Sequence, residues 1–112
     1  MASHVLIDAF LQPTSEPETP HEVAGDVVAF RVSADRCVVQ EVYRRPNKLL
    51  GFRYFAWVAW RDAGEQVRSH GWFKVEPEHA LVADSTAVAQ QAAAEHANSK
   101  GLQLPASWKA HA

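Results

Sequence analysis

The stretch GFRYFAWVAWRDAGEQVRSHGWFKV, residues 51–75, decides the fold. Its flanks, Gly51 to Arg61 and Gln66 to Val75, are dense in aromatic and β-branched side chains, which suit a pleated, half-buried surface. Between them Asp62, Ala63 and Gly64 have the chemistry of a three-residue connection, a type I turn closed by a left-handed glycine. The stretch therefore reads as a β-hairpin. With Arg61 opposite Glu65, Trp57 faces Ser69, Phe55 faces Gly71 and Tyr54 faces Trp72. Side chains alternate across a strand. One face then carries Phe55, Trp57, Ala59, Val67, Phe73 and Val75, and the other carries Phe52, Tyr54, Val58, Trp60, Arg68, His70, Trp72 and Lys74.

Working upstream, Val27 to Val32 and Cys37 to Tyr43 are two further β-rich runs, separated by the turn chemistry of Ser33, Ala34 and Asp35. Arg45, Pro46, Asn47 and Lys48 predict a type I turn, with proline presetting its first central position. Residues 3–12 alternate Val5, Ile7, Ala9 and Leu11 with other side chains and predict a strand at a sheet edge. Residues 13–25 are rich in proline and glutamate and predict an exposed, extended connector.

Downstream, Glu76 and Pro77 end the sheet. Asp84 or Ser85 can cap a helix running from Ala87 to Lys100, and Gly101 suits its C′ position. The apolar face of that helix, Val88, Ala89, Ala92 and Ala93, is made of small side chains, so it should dock by close approach. Residues 102–112 predict a tail that Leu102, Leu104 and Trp108 can pin down. The expectation is an α+β single domain spanning 1–112, a curved antiparallel β-meander of four to five strands packed against one C-terminal α-helix.

Composition excludes several classes. Of the 112 residues, 47% are apolar and 21% charged, a balance unlike that of disordered chains. The longest uncharged apolar run, Tyr54 to Trp60, is far short of the roughly 20 residues that span a membrane. The opening residues do not read as a signal peptide, and Cys37 is the single cysteine, so a cytoplasmic, reducing location is expected. The formal net charge of -2 gives no general pull toward nucleic acid. The six histidines form no metal-ligand pair at recognised spacing, and no phosphate-loop, dinucleotide or nucleophile-elbow motif is present, so neither metal nor cofactor is expected.

One helix covers one face of a sheet. If it covers the Phe55 and Trp57 face, the other exposes large rings beside cations, joined by Cys37, Val39, Glu41 and Tyr43. So many exposed rings call for a cover. The leading expectation is a small non-enzymatic binding or interaction module, a homodimer through Phe52, Tyr54, Trp60, Arg68, His70, Trp72 and Lys74, with the same surface open to a small-molecule or protein ligand. One alternative is a small cofactor-free enzyme with His70 and Glu41 as its acid–base pair. Another is single-stranded nucleic-acid binding, since residues 51–57 resemble the aromatic strand of RNA-recognition domains. Those domains have a helix between their first two strands, where this chain has its proline-rich connector, so nucleic acid is not the favoured partner.

Overall fold

The computed structural model describes residues 17–61, 67–75 and 78–111. β1 (Val27–Val32), β2 (Val38–Arg44), β3 (Leu50–Arg61) and β4 (Val67–Lys74) form an antiparallel meander in which each strand pairs with the next. A two-residue strand, β5 (His79–Ala80), pairs with the start of β3. Helix α1 (Thr86–Ser99) follows, and β6 (Lys109–Ala110) returns to pair with β1 at Ala29 and Phe30. The sheet order is β4-β3-β2-β1-β6. This is the expected α+β arrangement, an open antiparallel sheet packed with a single helix. The strand expected over residues 3–12 lies outside the described residues, and the sheet edge beside β1 is occupied by β6.

Local chemistry sets the boundaries. Asp35 accepts bonds from the Ser33 hydroxyl and the Cys37 amide, fixing the β1–β2 turn. The β2–β3 turn closes with the Lys48 amide donating to the Arg45 carbonyl at 2.9 Å. Ser85 is the N-cap of α1, its hydroxyl accepting from the Val88 amide. At the other end Leu102 donates to the Ala97 carbonyl and Gly101 to that of Asn98, with Gly101 at φ 73°. That pair of bonds is a Schellman cap, and it needs a residue that tolerates the left-handed region.

The helix face and the opposite face are not those the hairpin turn implied. Trp57 pairs with Trp72, Val58 with Gly71, Phe55 with Lys74, and Arg61 with Val67 rather than Glu65. The register is shifted by three residues. The residues of the expected Asp62–Gly64 turn lie outside the described ones, but five residues separate β3 from β4 and the ladder slips between Trp60 and Arg61. An odd shift exchanges the face of one strand relative to the other. Leu50, Phe52, Tyr54, Ala56 and Val58 therefore lie under the helix, packed with Val38, Val42, Ala89, Ala93 and Ala97 in the core. Phe55 and Trp57 share the opposite face with Trp72 and Lys74. Close approach of the helix does hold: Ala89, Ala93 and Ala97 are its buried residues, while Val88 is exposed.

Candidate functional site

The face away from the helix carries a buried charge network. Glu41 and Arg53 are paired across β2 and β3. Arg53 donates to Glu41 at 2.8 Å and, through both terminal nitrogens, to Asp26 at 2.9 and 3.2 Å. Its guanidinium lies 4.3 Å from the centre of the Tyr43 ring, and Glu78 stands 3.6 Å from it. Burial alone would lower the Arg53 pKa, but its hydrogen bonds to Asp26 and Glu41 and their charges outweigh that and hold it above its ordinary value. Glu78 accepts from the Tyr43 hydroxyl at 2.9 Å and from Lys74 at 3.4 Å. The Tyr43 hydroxyl, buried and bonded to a carboxylate, is pushed up to about 12.

The second oxygen of Glu41 accepts from His21 Nε2 at 2.7 Å. His21 belongs to the proline-rich connector, residues 17–24, which lies over the sheet as a strap. Its ring packs against Phe55 and Trp72 with centroids 4.6 and 5.2 Å away. The Trp72 indole N–H donates to the Thr19 carbonyl at 3.0 Å, a further tether. The connector is exposed at Glu18, Thr19 and Pro20, as its composition implies, but His21 and Val23 are half-buried.

Between strap, sheet and C-terminal segment runs a half-open groove of about 750 Å³. Phe30, Val32, Val39 and Trp72 give it an apolar lining, Pro17, Pro20 and His21 come from the strap, and Pro105, Ser107 and Lys109 from the tail. Arg31 and Arg36 line it as well. Its size is in the range of small-molecule sites.

No family model, curated protein or solved structure matches the chain. The site must be read from its own geometry.

Of the residues singled out in the sequence, Glu41, Trp72 and Lys74 share this face. Phe52 and Tyr54 do not: both are buried against the helix, so they form no common surface with Trp72 and Lys74. Trp60, Arg68 and His70 lie on the ladder, opposite Ser69 for Trp60 and Ala59 for His70, but their side chains lie outside the described residues. His70 sits opposite Ala59 and Glu41 opposite Arg53, so six residues of β3, about 20 Å, separate the two positions. The structure does not bring His70 to Glu41. His21 takes that place, and its position inside a proline-rich run gave no periodic signal.

Under the helix lies a second polar chain. Gln40, fully buried, donates through Nε2 to the Tyr54 hydroxyl at 3.0 Å and to the Ala93 carbonyl at 2.8 Å. The Tyr54 hydroxyl, accepting there, also hydrogen-bonds His96 Nδ1 at 2.8 Å. His96 also packs on His79 at 4.3 Å, and His79 stacks on Phe52 at 4.5 Å. Gln40, Tyr54 and His96 are thus hydrogen-bonded to one another, and to the helix, in the layer between sheet and helix. Among the described residues no group of His, Cys, Asp and Glu is placed to hold a metal ion, and no helix is long and apolar enough to cross a membrane.

Proposed function

We propose that the protein is a small-molecule-binding module whose site is the groove between strap and sheet. The observation that carries the reading is the groove itself, about 750 Å³, half-open and lined by Phe30, Val32, Val39 and Trp72. Such a cleft takes an elongated, largely apolar molecule. Trp72 makes the test direct. Titration with the neutral fluorescent probe N-phenyl-1-naphthylamine should quench tryptophan emission saturably, and Val32→Trp, which fills the groove, should abolish binding. A probe that binds Val32→Trp as well as the parent protein would sink the assignment. Self-association through this same face is the competing use of the surface. Sedimentation over a wide concentration range separates the two, since a face buried in a dimer would admit the probe only on dissociation.

A second reading, a cofactor-free acid–base enzyme, is favoured by one observation: His21, which lines the groove, is bonded to Glu41 behind it. A carboxylate buried to 1% exposure holds Nε2 of the imidazole, leaving the other ring nitrogen to exchange a proton. A groove ligand recovered chemically unchanged after prolonged incubation argues for binding alone; a ligand converted by the parent protein and spared by His21→Asn argues for the enzyme.

A further inference from the structure

Strand alternation divides the cations around the groove between the two faces of the sheet. Ala29 lies in the core under the helix, and Arg31, two residues on, shares that side. Its guanidinium donates to Gln40 and lies 4.4 Å from the centre of the Trp108 ring. Phe30 and Val32 take the opposite side and line the groove. β6 repeats the division, because directly opposed residues of an antiparallel pair share a face. Ala110 is opposite Ala29, with Trp108 on the same side as Arg31. Lys109 is opposite Phe30, so it stands on the groove side, and it is among the residues that line the groove.

The carboxylates of the charge network are already paired. Glu41 is bonded to Arg53 and His21, Asp26 to Arg53, and Glu78 to Tyr43 and Lys74. Among the described residues no carboxylate is ion-paired with Lys109, not even Glu18, which lines the groove from the strap. The sheet order places Trp72, on β4, and Lys109, on β6, four strand spacings apart, about 19 Å. Val39, Val32 and Phe30, on the two strands next to β6, supply apolar lining between them. The groove is thus an apolar channel across the sheet that ends, at its β6 wall, on a cation with no partner from the protein.

We infer that the groove's ligand is an elongated amphipathic carboxylate whose head group is held by Lys109 at the β6 wall and whose apolar body runs across the sheet toward Trp72. This rests on the groove being the binding site. The lysine ammonium is a point charge on a flexible stem, so it can follow a head group at the mouth of the groove while Phe30, Val32 and Val39 cover the body. Lys109 is exposed, and the pair it forms is correspondingly weak: it selects a charged ligand over a neutral one, and the apolar lining supplies most of the affinity.

The test is displacement of N-phenyl-1-naphthylamine by decanoate and by neutral decan-1-ol on the parent protein, Lys109→Gln and Lys109→Arg. The ratio of decanoate to decanol affinity should fall about 3-fold in Lys109→Gln, the size of an ion pair open to water, and be kept in Lys109→Arg. On the parent protein the same ratio should fall as salt is raised. A ratio that Lys109→Gln leaves unchanged overturns the inference. So does one that falls equally in Lys109→Arg, or one that salt does not move. All three results leave the groove assignment standing, because the neutral probe is still bound. Failure of the neutral probe to bind the parent protein removes the groove itself, and the inference with it.

Discussion

His21 and Glu41, twenty residues apart in the chain, meet at 2.7 Å and fasten the strap to the middle of the sheet. His21→Ala removes that bond and the contacts to Phe55 and Trp72, leaving one buried carboxylate oxygen without its donor. A loss of about 1–3 kcal/mol is expected. Trp72 emission should move to the red, and proteolysis should begin within residues 17–24. An unchanged emission maximum would mean that the strap is held without this pair.

Arg53 is the hub of the network, and its removal should be costlier. Arg53→Met leaves Glu41 and Asp26 without their shared cation, and breaking a buried pair from one side costs about 3–5 kcal/mol. The companion Glu41→Gln/Arg53→Met protein should recover part of that loss. Denaturant unfolding of the two singles and the double checks both statements, and strict additivity would show the residues uncoupled.

Tyr43 should titrate late in an alkaline titration. Its pKa is pushed up to about 12 by burial and by the bond to Glu78. A folded-state pKa above the unfolded value of about 10 stabilises the fold fully below pH 10, and that contribution disappears as pH rises through 12. Absorbance near 295 nm should show this step late, and Tyr43→Phe should remove it. Glu78 is shifted the other way: burial raises its pKa, but the Tyr43 and Lys74 bonds outweigh it and leave it lowered. Its contribution is present above the ordinary glutamate range and is lost as pH falls through the lowered value. Glu78→Gln should therefore flatten the acid limb.

Gly51 is a steric requirement. A Cβ there would sit 2.8 Å from the His79 carbonyl oxygen and 3.0 Å from the Tyr43 ring. Since the nearest atom is backbone, β5 must move, and Gly51→Ala should cost about 1–3 kcal/mol. A thermal midpoint equal to the parent's would show that β5 yields freely.

Ala93 sets the distance between helix and sheet. It is fully buried and its carbonyl accepts from Gln40. Ala93→Leu should destabilise by about 1–3 kcal/mol by lifting the helix, whereas Val88→Leu on the exposed side should be neutral within about 0.5 kcal/mol. Equal effects at both positions would show that the alanine face is not in close contact.

The meander and the helix were legible because their signals are local. The β-rich run Val27–Val32 coincides with β1, Ser85 is one of the two caps the sequence offers, and Gly101 takes the left-handed position expected of it. The faces were not legible. Phe52, Tyr54, Phe55 and Trp57 make both sides of β3 apolar, so alternation cannot say which side the helix takes. Only the β3–β4 register could decide, and it depends on the five residues between the strands and the slip beside Arg61. The site was hidden for another reason. His21 sits between Pro20 and Glu22, where composition says only that the chain is extended. Nothing local indicates that Glu41 awaits it across the fold.

The groove's walls come from opposite ends of the chain, which bears on the order of folding. Strand pairs in the meander join sequence neighbours, so the scaffold closes short loops first. The groove needs far longer closures: Thr19 to Trp72 spans 53 residues and Arg31 to Pro105 spans 74. These contacts should form last and open first, and hydrogen exchange should find β6 and the strap less protected than β2 and β3. A ligand lying against both walls would then act as a staple, holding together the two stretches of chain most inclined to part.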